Sequence, residues 1–196
     1  MEIVTLHPAN PDRRAISRAA DALRDGKLVI YPTDTHPALA ADGLNIKAVE
    51  RLCRLKQINP ERQSLTLVCD SISSAAQYAR IDNVAFSIIK RNTPGAVTFI
   101  LPPSPSMPKV YKGRKQVGIR IPDNPIALML AEELGRPLLS GSLGTSDPSE
   151  LEASVTLLLI DADAEYLDSV ESSAIVDLMD SSEPVIVRES SRPLSL

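Results

Sequence analysis

Pro32-Thr33-Asp34-Thr35 puts two hydroxyls and a carboxylate directly after the apolar run Leu28–Tyr31. Such a run reads as a buried strand stopped by Pro32, and the loop beyond a strand end is the usual address of ligands in open α/β sheets. The three polar groups together suit an ammonium and a polar side chain. They also suit a turn in which each bonds its own backbone. Arg120 is the second candidate, because it interrupts the strand pattern VGIRIP over 117–122. A guanidinium among apolar neighbours needs a carboxylate or phosphate partner. An acid of the same chain would serve, but a ligand anion is the favoured reading.

Other chemistries find little support. His36 follows Asp34 by two residues and serines abound, yet no GxSxG elbow is present to build a hydrolase triad. The segment SGSLGTS over 140–146 resembles a phosphate-cradling loop only in composition, since GxxxxGK[ST] and GxGxxG are both missing. Cys53 and Cys69 lack CxxC spacing, and with only two histidines they make neither a metal site nor a disulfide framework. Each is expected as a small buried apolar residue. Six aromatics, four Tyr and two Phe, leave few platforms for stacking single-stranded bases. Arg51, Arg54, Lys56 and Arg62 cluster near the end of one expected helix, and Lys109, Lys112, Arg114 and Lys115 lie before Arg120. Taken singly, these read as solvated surface.

The elements that must position these residues alternate between helix and strand. Asn10-Pro11 reads as an N-cap with proline at the first helical position. Ile16, Ala19, Ala20 and Leu23 mark one face, and Gly26 ends that helix. A second helix is expected over 47–55, a third capped by Asp70 and running through Ala79, a fourth over 84–91 capped by Asn83, and a fifth from Asn124-Pro125 to Leu134-Gly135. Strands are expected over 28–31, 65–69, 97–101, 117–121, 138–140, 155–160, 174–178 and 185–188. Residues 102–116 hold four of the 16 prolines and four basic groups, a long surface connection. With no repeat and no linker, residues 1–196 read as one α/β domain with a mixed sheet.

At 196 residues, 43% hydrophobic and 23% charged, the chain has the composition of one globular domain. The longest apolar runs fall far short of the ~18 residues of a membrane span. The first residues lack the basic-then-apolar order of a secretory signal, so a cytoplasmic location is the default expectation. The net charge of −4 conceals an asymmetry: residues 1–120 carry 18 Lys and Arg against 10 Asp and Glu, while 121–196 carry 3 against 15. Either a basic surface faces an anion, or the halves fold together and the charges intersperse.

Eight blocks together resemble the YrdC/YciO family: LVIYPTDT (28–35), AVERLCRLKQ (48–57), SLTLVC (64–69), NTPGAVTFIL (92–101), VGIRIPDNP (117–125), RPLLSGSL (136–143), AIVDL (174–178) and VIVRE (185–189). RLCRLKQ, DNVAF (82–86), NTPG and the SxSL loop are similar to the YciO branch. The resemblance implies a twisted mixed sheet with a concave basic face that binds nucleotide or RNA. It implies an L-threonylcarbamoyladenylate synthase of tRNA modification, joining threonine, bicarbonate and ATP with Mg²⁺ into threonylcarbamoyl-AMP and pyrophosphate. By resemblance, Lys56 and Arg120 are the catalytic pair, and Thr35, Arg120 and Ser173 hold threonine. Lys56, Thr98, Ser142 and Arg188 hold the nucleotide. Lys112, Arg114 and Lys115 would contact double-stranded RNA or tRNA, and no resident metal is implied.

Three departures stand out. The arginine of the family's KxR element falls on Ile58, the asparagine of SxN on Gly144, and VYGL after PTDT becomes His36-Pro37-Ala38-Leu39. Each lost charge-assisted contact is worth ~1.5–3 kcal/mol. The alternatives are therefore a duplex-RNA or tRNA-binding paralogue without synthase activity, or a nucleotide-dependent enzyme with a changed substrate.

Overall fold

The computed structural model describes residues 1–57, 66–107, 111, 113–143, 151, 155–162 and 172–196. These form ten strands and five helices: β1 (Glu2–Leu6), α1 (Arg13–Arg24), β2 (Val29–Tyr31), β3 (Ala38–Asp42), α2 (Ile46–Leu55), β4 (Thr66–Val68), α3 (Ile72–Ala75), α4 (Asn83–Asn92), β5 (Val97–Leu101), β6 (Val117–Arg120), α5 (Pro125–Leu134), β7 (Leu138–Ser142), β8 (Leu157–Asp161), β9 (Ala174–Asp177) and β10 (Val185–Arg188).

Local chemistry explains most element boundaries. The fifth helix starts and stops as expected: the Asn124 side chain accepts from the Ala127 amide, Pro125 occupies the first turn, and Gly135 ends the helix at φ 61°. Three other caps differ. Asp12, not Asn10, caps α1: its side chain accepts from the Arg14 amide, while the Asn10 backbone N–H donates to the His7 carbonyl in the turn before the helix. Ser71, not Asp70, caps α3, and Asp70 instead accepts from the Ser74 hydroxyl. Asp82, not Asn83, caps α4. In each case the capping side chain stands next to the expected one or two residues beyond it.

All ten strands share one mixed sheet in the order β1-β8-β2-β3-β7-β4-β6-β5-β9-β10. The pairs β1–β8, β8–β2, β4–β6 and β5–β9 run parallel and the rest antiparallel. Two strands are unexpected. Among the described residues the edge strand β1 pairs only with β8, and β3 has the sequence Ala-Leu-Ala-Ala-Asp, all five residues buried. Alanine has little strand propensity by itself; burial between β2 and β7 decides the matter.

The two sheet faces are covered unequally. Ile30, Leu39, Leu67, Phe99, Ile119, Leu139 and Val176 point to one face, packed with residues of α2, α3 and α4. Val29, Tyr31, Ala38, Ala40, Val68, Leu138, Leu157 and Leu159 point to the other, under α1 and α5. That second cover is partial. Register continues the row Leu138–Val68 through Arg120 and Thr98 to Ile175 and Arg188, across β7, β4, β6, β5, β9 and β10. The row turns from apolar to polar at Arg120, where the residues of the α1/α5 core cease. The adjacent row Ser140, Thr66 and Ile100 is half-exposed on this same face. Among the described residues no helix is long and apolar enough to cross a membrane.

Candidate functional site

Arg120 is only 8% exposed at the end of β6, and its partner belongs to its own chain. Nη2 donates to Asp34 Oδ1 at 2.7 Å and to Thr35 Oγ1 at 2.8 Å. The favoured reading of a guanidinium reserved for a ligand anion is corrected here: Asp34 already balances its charge. Asp34 and Thr35 arrive from the 32–37 loop of the β2–β3 hairpin, four places along the sheet from β6. Loop and guanidinium together therefore span β3, β7 and β4. The ion pair is not saturated. Asp34 Oδ2 and Arg120 Nε are both buried without a hydrogen-bond partner, one an acceptor and one a donor. A buried group of either kind left unpaired costs ~1–3 kcal/mol or more, which a ligand offering the opposite group would recover.

Donor counting settles the direction of the loop network. Thr33 Oγ1 donates its one hydrogen to the His36 carbonyl at 2.8 Å and accepts from the Thr35 amide at 3.0 Å. The 3.1 Å contact between the two hydroxyls must then have Thr35 as donor. With its hydrogen committed and one lone pair taken by Arg120, Thr35 faces a ligand as an acceptor only. Thr33 builds the turn, and Asp34 and Thr35 are brought against Arg120.

A second group lies farther along the same row. Arg188 Nε donates to the Ser173 carbonyl at 2.8 Å, and its Nη2 lies 3.3 Å from Ser173 Oγ. Ser173 Oγ is in turn 3.5 Å from Thr98 Oγ1. Ser173 thus anchors Arg188 rather than touching Arg120. Partial burial, and then the positive charge of Arg120, push the Arg188 guanidinium below its ordinary range. A cation held beside another cation in a partly desolvated place suits an anion such as a phosphate.

The remaining candidates are dispersed. Lys56 is the C-cap of α2, and its stem crosses β7 on the α2 side, opposite the face of Arg120. A Cβ at Gly141 would stand 3.3 Å from Lys56 Cγ, so the missing side chain makes this passage. Burial pushes the Lys56 ammonium below the usual lysine range. Ser142 is exposed at the end of β7. Arg114 lies 5.9 Å from the Tyr111 ring centroid, against the α2-side core, and Lys115 is exposed. Lys112, Lys109, Arg62, Ile58 and Gly144 fall outside the described residues. Cys53 and Cys69 are buried free thiols pushed up by burial, Cys69 to about 12, so neither is a nucleophile near neutral pH. No group of three or more His, Cys, Asp and Glu among the described residues is placed to hold a metal ion.

Sequence reasoning missed Tyr31 and Ser140. Tyr31 is fully buried under α1, and its hydroxyl lies 2.6 Å from Ser140 Oγ. The small side chains of Ala38 and Ala40, buried on the same face, let the ring lie across β3 towards β7. Burial pushes the phenol up to about 12, with smaller opposed influences from Arg120 and Asp34. The available signal was strand alternation in LVIY, which puts Tyr31 on the face of Val29.

Comparison with known proteins supplies the family. The model for Sua5, YciO and YrdC proteins, described as "Telomere recombination", matches residues 21–190. The chain belongs to the Sua5/YciO/YrdC family. It is 40% identical over 197 residues to the uncharacterized protein YciO of Escherichia coli, covering 94% of this chain and 93% of that one. It is 30% identical over 141 residues to a threonylcarbamoyl-AMP synthase of Pseudoalteromonas translucida, covering 69% of this chain and 74% of that one. The crystal structure of E. coli YciO superposes with a TM-score of 0.84 at 38% identity over 96% of both chains. Sua5 from P. abyssi, complexed with L-threonine, superposes with a TM-score of 0.80 at 28% identity, over 96% of this chain and 57% of that one. The shared Sua5/YciO/YrdC fold is a single mixed α/β sheet with helices, as expected from the sequence.

Proposed function

We propose that the half-open face binds an α-amino acid beside a nucleotide and performs the threonylcarbamoyl-AMP synthase reaction on them. The observation that carries this reading is the pair of open positions on one ion pair. Asp34 Oδ2 accepts, as does Thr35 Oγ1, and Arg120 Nε donates. An α-amino acid zwitterion presents an ammonium and a carboxylate a few ångströms apart and adds no net charge. It suits a neutralised Asp34–Arg120 pair better than a bare anion does. The L-threonine bound by P. abyssi Sua5 and the synthase relatives at about 30% identity support threonine as that amino acid. Arg188, on the same row, would face the phosphates of ATP, which brings Mg²⁺ with it as substrate, and Lys56 would approach from the end of β7. The threonine amine, freed of its proton, would add to the carbon of bicarbonate with loss of water. A carbamate oxygen would then form a bond to the α-phosphorus as the bond to pyrophosphate breaks. The cations stabilise charge accumulating on that leaving group.

Pyrophosphate release with ATP, bicarbonate and each amino acid in turn tests the reading. Strict dependence on L-threonine is expected. Arg120→Ala would strand Asp34 as a buried charge at a cost of ~3–5 kcal/mol, so Arg120→Lys is the informative variant. It keeps a cation for Asp34, lacks Nε, and is expected to lose about 10- to 100-fold in turnover, the worth of one charge-assisted bond. Turnover indifferent to amino acids, or unchanged in Arg120→Lys, overturns the assignment. Absence of turnover together with salt-sensitive binding of duplex RNA identifies the RNA-binding paralogue instead.

A further inference from the structure

A hydroxyl pair that the proposed reaction does not use, Tyr31 and Ser140, joins the α1-side core to the open face. The Tyr31 phenol is fully buried, and its hydroxyl meets Ser140 Oγ at 2.6 Å. Either oxygen could donate on distance alone, but the surroundings allow one direction. If Ser140 were the donor, the phenolic hydrogen would have no acceptor inside the α1-side core. A phenol is also much the stronger acid of the two, and it stays protonated near neutral pH. Tyr31 therefore donates, and the hydrogen of Ser140 is left for another acceptor. Ser140 is half-exposed on β7, beneath the span made by the 32–37 loop and Arg120, and Tyr31 is close enough to feel both Arg120 and Asp34.

From this geometry we infer that Tyr31 is a positioning residue that commits Ser140 to donate its hydroxyl hydrogen to the carboxylate of the bound amino acid. The inference rests on the amino-acid reading above and adds two residues to it. Arg120 Nε and Ser140 Oγ form the donor side of the pocket; Asp34 Oδ2 and Thr35 Oγ1 form its acceptor side. The polarity is one-way along each chain of hydroxyls: Tyr31 to Ser140 to ligand, and Arg120 to Thr35 to Thr33. Ala38 and Ala40, buried on the same face, make room for the ring.

Calorimetric titration of L-threonine and of L-threoninol, which lacks the carboxylate, tests the inference on the full chain. Ser140→Ala and Tyr31→Phe are each expected to weaken L-threonine about tenfold and to leave L-threoninol unchanged, as one hydrogen bond to a charged group predicts. The double variant should lose no more than Ser140→Ala alone, because Tyr31 acts only through Ser140. Without ligand, Ser140→Ala strands the phenolic hydrogen and should lower the melting temperature, and Tyr31→Phe in that background should restore it. Additive losses, equal losses for L-threoninol, or wild-type affinity in Ser140→Ala overturn the inference while leaving the amino-acid reading intact. A wild-type chain that binds no α-amino acid in a full panel overturns both.

Discussion

Arg120 shows how much one residue reveals and where it stops. An arginine inside a β-strand pattern announces that something anionic lies near it, because a desolvated guanidinium is not otherwise stable. Which anion is a separate question, and Asp34 answers it from 86 positions away. The same holds for caps. Asp82 and Asn83 are both good N-cap residues, and only the conformation of the entry turn chooses Asp82. The amide of Ala85, the Ser181 hydroxyl and the amide of Val84 hold the Asp82 carboxyl below the ordinary aspartate range. Folding lowers this pKa, so the contribution is complete above the unfolded value of about 4 and fades as pH falls through the lower folded value. Asp82→Ala is expected to cost about 1 kcal/mol at neutral pH. In urea titrations at a series of pH values, its gap from wild type should narrow below about pH 4. A gap independent of pH would show that the charge plays no part.

At the scale of elements, amphipathic helices and apolar runs were legible because burial of one face writes a period into the sequence. Strands β2, β4, β5, β6 and β10 and helices α2 and α5 fall where that period puts them, within a residue or two. β3 does not, since Ala-Leu-Ala-Ala-Asp is buried throughout and shows no alternation. Its alanines have a purpose visible only in three dimensions, the passage of the Tyr31 ring to β7. Gly141 is the counterpart on the other face, where a Cβ would stand 3.3 Å from Lys56 Cγ and 3.5 Å from Leu52 Cδ2. Gly141→Val should push the Lys56 stem aside, costing ~1–3 kcal/mol in stability by overpacking. Steady-state kinetics should then show a raised KM for ATP with the KM for L-threonine unchanged. A shift in the L-threonine value instead would place Lys56 on the amino-acid side.

For the whole molecule, the sheet order interleaves the basic and acidic parts of the chain. β8, from the acidic part of the chain, lies between β1 and β2 from the basic part, and β9 lies against β5. The two parts contribute strands to one sheet, so they are not separate units. It follows that a core lesson in β8 is felt everywhere. Leu159→Ala, at a site 1% exposed, is expected to cost ~2–5 kcal/mol. Circular dichroism in urea should show it as one cooperative transition, and a two-step curve would mean that the parts unfold independently. What the sequence determined by itself was local: the helices, most strands, a mixed α/β fold, the family through its motif blocks, and the need of Arg120 for an anionic partner. What the tertiary structure alone decided was pairing across long separations: Asp34 with Arg120, Tyr31 with Ser140, Ser173 with Arg188, and β1 with β8. A hydrogen bond between residues 86 or 109 positions apart leaves no period in the chain, because its partners are brought together by the order of strands in the sheet.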